Sequence, residues 1–180
     1  PPEKGGAPAI GAYLFPSLDL LDEDQGSPTS GDIQQNSIII KRTLENFGIP
    51  VEMAEVNIGP TVTQYTFKPD EGVKLSKITA LSNNLSLALA SHPIRIEAPI
   101  PGRSLVGLEV PNKARSFVRL RNLIANPTFQ RSANSLLFCL GRDVAGAPMY
   151  ADLGEMPHLL VAGSTGAGKT IFVNSLILSF

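Results

Sequence analysis

One cysteine, two histidines and no long apolar run are what this 180-residue chain offers to three common chemistries. Cys139 has no partner for an internal disulfide, which fits a reducing compartment. His92 and His158 do not form a metal-ligand cluster of the usual spacing, so a zinc site is not expected. A membrane helix needs about 18 or more apolar residues in a row. The longest candidate here, near Ile171 to Phe180, is interrupted by Asn174 and Ser175. The chain opens Pro-Pro-Glu-Lys-Gly-Gly, without a charged-then-apolar leader, so export is not indicated and the chain reads as a piece of something longer. Charge of either sign is nearly absent in the balance, at −1, yet 43% hydrophobic and 17% charged residues describe a globular chain and not a disordered one. The length admits one large domain or two small ones.

The balance conceals an asymmetry. Residues 1 to 32 carry six acidic residues against Lys4 alone and are rich in Pro, Gly and Ser, the composition of a linker. Within them Tyr13-Leu14-Phe15-Pro16-Ser17-Leu18-Asp19-Leu20-Leu21 is an apolar knot, suited either to extended docking on a neighbouring surface or to a loop. Residues 33 to 130 have a net charge of +4, concentrated in Arg103, Lys113, Arg115, Arg119 and Arg121, with Glu109 the only opposing charge. Such a cluster can meet phosphates or an acidic partner, or form a solvated face.

Periodicity gives the elements. Ile33, Ile40, Leu44 and Phe47 fall on one helix face, with Gly48 as its C-terminal cap. Val51 to Asn57 and Thr61 to Lys68 are β-rich runs around Ile58-Gly59-Pro60, with Thr63, Tyr65 and Phe67 alternating with polar neighbours. Ile78, Leu81, Leu85 and Ala88 predict a second amphipathic helix, with Asn83 and Asn84 outward, stopping near His92-Pro93. Ile94 to Ala98 and Val106 to Val110 alternate as two further strands. The result is an α-β-β-α-β-β unit, an α+β domain with helices on one face of a mainly antiparallel sheet. Lys113 to Ile124 suits a strand or a short helix, broken by Asn126-Pro127. Leu136 to Leu140 and Met149 to Leu153 are short strands, with turns at Gly141-Arg142-Asp143 and Gly146-Ala147-Pro148. His158 to Ala162, apolar beyond its first residue, predicts a parallel strand covered on both faces.

Directly after it stands Gly163-Ser164-Thr165-Gly166-Ala167-Gly168-Lys169-Thr170, the complete G-x-x-x-x-G-K-[ST] pattern. The glycines let successive amides turn inward toward phosphate oxygens, and a helix beginning at Lys169 adds its positive end. Lys169 supplies charge to the β and γ phosphates, and the Thr170 hydroxyl is a hard oxygen ligand for Mg²⁺. All eight residues are therefore candidates for binding ATP, with Lys169 and Thr170 also catalytic and Thr170 the metal ligand. His158 is expected to be a hydrogen-bonded residue at the start of its strand, and Cys139 a small core residue. No apolar strand ending in an acidic residue follows Thr170. Such an acid holds Mg²⁺ and positions water, so these residues are not expected to hydrolyse ATP alone.

Several separated motifs in order resemble the motor of the FtsK/SpoIIIE family of bacterial DNA translocases. They are Gly59-Pro60-Thr61-Val62-Thr63-Gln64-Tyr65, Phe67-Lys68-Pro69, Gly72-Val73-Lys74-Leu75-Ser76-Lys77-Ile78, Ile94 to Gly102, Gly107 to Asn112, and Met156 to Gly163. The resemblance implies an acidic linker over 1–32, an α domain over 33–112, a connector over 113–130 and, over 131–180, the start of a RecA-like P-loop NTPase (β) domain. It further implies a homo-hexameric ring around double-stranded DNA, driven by ATP in chromosome segregation at division or sporulation. The motor would be cytoplasmic and held at the bacterial inner membrane through an N-terminal region absent from this chain. The main DNA-tracking loops of that family lie beyond residue 180, so the Arg103 to Arg121 cluster is expected to serve subunit packing. Two alternatives stand beside this reading: a type VII secretion or conjugation coupling ATPase, and a non-catalytic nucleotide-binding or oligomerisation module.

Overall fold

A computed structural model describes residues 16–24, 26 and 28–180. The first helix, α1 (Ile33–Asn46), starts at Asp32, whose Oδ1 accepts from Gln35 N–H at 2.9 Å. Its end is a Schellman motif. Gly48 at φ +72° donates to Glu45 O, and Ile49 donates to Leu44 O, both at 2.9 Å. Ile40, Leu44 and Ile49 are buried together, with Ile33 half-buried against them. Phe47, expected on the same face, is half-exposed: the helix stops at Asn46, and the turn at Gly48 delivers Ile49 to the core in its place.

Four strands follow: β1 (Val51–Ile58), β2 (Val62–Pro69), β3 (Arg95–Glu97) and β4 (Val106–Pro111). They form an antiparallel sheet in the order β1-β2-β4-β3. Tyr65 and Phe67 of β2 meet Val106, Leu108 and Val110 of β4, and with Ile40, Leu44, Ile78 and Leu85 make one apolar core. The polar alternates are buried too, because the other face is also covered. Thr66 fills the bulge between Met53 and Val56: its hydroxyl donates to Glu55 O at 2.8 Å and accepts from Glu55 N–H at 2.9 Å. Gly107 is closely covered: a Cβ there would meet Gln64 Nε2 at 3.0 Å and Ile100 Cδ1 at 3.1 Å, and both side chains would have to shift.

The single helix expected around Ile78 and Leu85 is two. α2 (Leu75–Ala80) and α3 (Ser82–Ala88) are separated at Leu81, where ψ is 8° and the N–H donates three residues back to Ile78 O. One turn earlier, the Thr79 hydroxyl takes the Ser76 carbonyl at 3.1 Å, a side-chain competitor for the helical bond. Ile78 and Leu85 are buried and Asn83 and Asn84 face outward, as the periodicity required.

Asn112 closes this unit. Thr63 Oγ1 donates to its Oδ1 at 2.7 Å, and its Nδ2 donates to Gly59 O at 2.8 Å, pinning the β1–β2 turn to the end of β4. The turn then abuts the next part of the chain: a Cβ on Gly59 would lie 2.6 Å from Val144 O.

Beyond it come α4 (Leu120–Ile124), α5 (Pro127–Gln130), β5 (Leu137–Arg142), β6 (Pro148–Asp152) and α6 (Lys169–Ser179). α5 begins as Asn-Pro should, with Asn126 Oδ1 accepting from Thr128 N–H at 2.9 Å. β5 and β6 form an antiparallel hairpin. The turn expected at Gly141-Arg142-Asp143 lies later. A bulge at Gly141 (φ +135°) lets the strand run on, and Asp143 Oδ1 closes the loop by accepting from Ala145 and Ala147 N–H. Arg142 is therefore a strand residue. A second cluster joins Leu123, Ile124 and Cys139 with half-buried Leu18, Leu21, Val118, Phe129 and Tyr150. Of the N-terminal apolar knot, Tyr13, Leu14 and Phe15 lie outside the described residues, while Leu18 and Leu21 are docked.

Cys139 is buried, and desolvation pushes its thiol pKa up against a smaller lowering by the Ser179 hydroxyl. A raised pKa leaves less thiolate, so iodoacetamide at about pH 8 should alkylate Cys139 far more slowly than a free cysteine until urea is added. Mass spectrometry reads this directly. Removing the Asn112 side chain leaves the Thr63 hydroxyl and Gly59 carbonyl without it, so Asn112→Ala should cost about 2 kcal/mol of stability in a urea titration followed by circular dichroism.

Candidate phosphate-binding site

The loop from Gly163 to Gly168 leads straight into α6. Gly166 and Gly168 have φ +81° and +93°, the left-handed region that a side chain disfavours. These two reversals turn the backbone around a concavity at the first turn of the helix. Among the described residues, no protein oxygen accepts from the N–H groups of Gly166, Gly168, Lys169 or Thr170. Gly163 faces Ala167 across the loop so closely that a Cβ would stand 3.2 Å from the Ala167 Cβ. Lys169 folds back over it, its Nζ donating to Gly163 O at 2.6 Å and Ser164 O at 2.7 Å. The ammonium therefore lies at the mouth of the loop. Together these residues present main-chain donors, one positive charge and a helix N-terminus to the same space, the chemistry that receives a phosphate chain.

What holds the site in place is the hairpin. Phe172 of α6 meets Phe138 of β5 edge-on at 6.1 Å between ring centres, and Cys139 N–H donates to Ser179 Oγ at 3.3 Å. A cleft of about 290 Å³ beside the loop is lined by Leu159, Leu160, Ala162, Lys169 and Phe172.

The segment before the loop departs from expectation. Residues 158 to 162 form no strand; Leu159 is 40% and Leu160 89% exposed. An apolar run becomes a buried strand only when strands pair on either side of it, and none of the described strands does so. His158 is likewise exposed, and among the described residues it makes no hydrogen bond, which removes the strand-end role expected of it. Along α6, Ile171, Ile177 and Leu178 are exposed as well.

The basic cluster divides. Arg103 pairs with Glu55 at 2.9 Å, whereas Arg119 and Arg121 face the acidic N-terminal segment. Arg142, outside the cluster in sequence, joins them through Asp24 at 3.2 Å. Sequence reading missed Arg142 and Asp24. The available signal was the opposite charge of 19–24 and 113–121, without anything to set their register.

Comparison with known proteins agrees with the architecture. Residues 15–112 match the family model of the FtsK alpha domain, and residues 119–180 match that of the FtsK/SpoIIIE family. The chain is 44% identical over 181 residues to a protein named DNA translocase FtsK from Sporosarcina ureae, spanning 99% of this chain and 23% of that one. It is 45% identical over 179 residues to DNA translocase FtsK of Staphylococcus aureus strain Mu50, covering 98% of this chain and 22% of the relative. Over 170 residues it is 45% identical to DNA translocase SpoIIIE of Bacillus subtilis strain 168, covering 93% and 22%. The chain thus spans less than a quarter of the length of these relatives. A solved structure of the pCW3 conjugation coupling protein TcpA with ATPγS aligns over 81% of this chain and 41% of that one, with 16% identity and a TM-score of 0.35. By its two family matches, and by its close identity to these relatives along almost its whole length, this chain is a member of the FtsK/SpoIIIE family, carrying an FtsK alpha domain and the start of the FtsK/SpoIIIE P-loop region.

Proposed function

We propose that this chain is part of an ATP-driven motor that moves double-stranded DNA, acting in chromosome segregation during division or sporulation. The proposal rests on the loop itself: amides at Gly166, Gly168, Lys169 and Thr170 that meet no protein acceptor among the described residues, two left-handed glycines and Lys169 folded onto Gly163 O and Ser164 O, in a chain whose relatives are named DNA translocases. In this reading the α domain is residues 33–112, joined through a connector over 113–130 to the P-loop domain from 131 onward. The segment 1–32 leads into them. The complete protein would assemble as a homo-hexameric ring around the DNA, in the cytoplasm, and reach the membrane only through a region outside this chain. No helix among the described residues is long and apolar enough to cross a membrane.

Gly163, Ser164, Thr165, Gly166, Ala167 and Gly168 would wrap the phosphates of ATP through main-chain amides. Lys169 would exchange its contacts with Gly163 O and Ser164 O for phosphate oxygens, which offer its charge a stronger partner. The Thr170 hydroxyl would hold Mg²⁺. Bound there, Mg²⁺ would supply neutralisation of phosphate charge. No acidic residue follows Glu155, so residues 156–180 bind phosphate without supplying the acid that positions water. These 180 residues should bind ATP and leave it unhydrolysed.

A charge-assisted bond of the lysine type is worth about 1.5–3 kcal/mol. Lys169→Ala should therefore weaken binding of Mg·ATP by about tenfold or more in isothermal titration and abolish turnover in the complete motor, with the circular dichroism of the chain unchanged. Unaltered affinity and turnover would remove the phosphate assignment. In the complete motor, turnover stimulated by linear double-stranded DNA supports the pump, and turnover indifferent to DNA would favour a coupling ATPase that moves protein. Because tracking along phosphates is electrostatic, the stimulation should fall as salt rises.

A further inference from the structure

The N-terminal acidic residues lie against the connector along its length. Thr29 and Ala114 exchange antiparallel main-chain bonds, Thr29 N–H to Ala114 O at 3.0 Å and Ala114 N–H to Thr29 O at 3.2 Å. Further back, Asp24 is the centre of a set of contacts. Its Oδ1 accepts from Arg119 N–H at 2.7 Å, its Oδ2 accepts from Arg142 Nη2 at 3.2 Å, and its own N–H donates to Asn122 Oδ1 at 3.0 Å. Arg121 reaches Asp19 at 2.7 Å and Glu23 at 3.2 Å and donates to Leu21 O at 3.3 Å, while Arg119 meets Asp22 at 3.5 Å. One short segment is thus tied to the connector, which leads into α4, and, through Arg142, to the hairpin that carries α6.

Within residues 18–24 apolar burial is small: Leu18 and Leu21 pack on the second cluster, each half-buried, and Leu20 is exposed. Charge carries the rest, and most of that charge is near water: the carboxylates of Asp19, Asp22 and Glu23 are exposed, and only the Asp24–Arg142 pair is about three-quarters shielded on both sides. Exposed pairs are individually weak and screened by salt. Arg119 is held loosely by its acid. Its guanidinium lies 5.4 Å from the Phe117 ring centre, and its buried Nε has no hydrogen-bond partner among the described residues. This is the balance of a contact that closes at low ionic strength and is easily opened.

The contact also spans a joint. Beside Asp24 and Arg142 the β1–β2 turn rests on the β5–β6 turn, Gly59 against Val144 O, around a cavity also lined by Pro60, Ser116 and Gly146. Ser116 N–H crosses to Pro60 O at 2.9 Å. We propose that residues 18–24 are an electrostatic latch, with Asp24 as its keystone, that clamps the four-stranded sheet against the hairpin carrying the P-loop helix and releases that joint when its charges are screened or removed.

The test is hydrogen exchange on the whole chain, read at two amides: Arg119, which donates to Asp24, and Ser116, which donates to Pro60 O of the sheet unit beside the joint. In low salt both should be protected, and raising salt to about 0.5 M should lower both together. Asp24→Asn should cost about tenfold in protection at both positions in low salt. Should that variant fold poorly, the pair Asp19→Asn with Glu23→Gln removes two exposed partners of Arg121 and should flatten the salt response with circular dichroism unchanged. Protection at Arg119 that ignores both salt and Asp24→Asn would overturn the latch, leaving Leu18 and Leu21 as the anchor. Loss at Arg119 with Ser116 untouched would overturn its hold on the joint.

Discussion

The position of the Gly163–Gly168 loop depends on one aromatic contact, Phe172 of α6 against Phe138 of β5. Because residues 158 to 162 pair with no described strand, the helix that follows the loop has the hairpin as its support. Phe138 is almost fully buried, and Ser179, near the other end of α6, accepts from the Cys139 N–H. From there the chain of contacts runs outward. Tyr150 of β6 donates to Leu123 O at 2.9 Å and packs on Phe129, which ties the hairpin to α4 and α5. Arg142 of β5 ties it to Asp24, and the Asp143–Gly146 turn seats it on Gly59 of the sheet unit. The hairpin thus touches the loop helix, the connector and the α domain.

That arrangement separates two kinds of stability. The α domain has its own core, closed by the Schellman turn at Gly48 and the Asn112 bonds, and every helix and strand in it contributes a buried side chain or a paired edge. The P-loop part has a small cluster around Cys139 and a large exposed apolar remainder at Leu160, Ile171 and Ile177. Apolar surface of that extent is what a strand and helix show when the sheet that would bury them is not formed around them.

Local signals were legible in the sequence, and long-range ones were not. Gly48-Ile49 announced the end of α1 because the cap is made by consecutive residues, although the same reading put Phe47 in the core seat that Ile49 takes. The β1–β2 turn and the glycine loop leading into a helix at Lys169 were equally plain, since each is defined by backbone geometry at fixed offsets. The break at Leu81 was hidden because it changes no apolar period, only one backbone torsion. The run at 158–162 read as a buried strand because composition reports a tendency to be buried, whereas pairing requires neighbours remote in sequence. Charge behaved the same way. The acids of 19–24 and the arginines of 119–121 were visible as separate excesses, yet Arg142 joins them only because a bulge beside Gly141 carries β5 two residues further than expected.

The central claim is that the loop from Gly163 to Thr170 receives the phosphates of ATP through its main-chain amides, and amide hydrogen exchange on this chain with and without Mg·ATP tests it residue by residue. Marked slowing within residues 163–170, largest at the amides of Gly166, Gly168, Lys169 and Thr170, with the α-domain amides unchanged, is the predicted result. Exchange at those four amides unchanged by saturating nucleotide would contradict the account, however well the rest of the fold held.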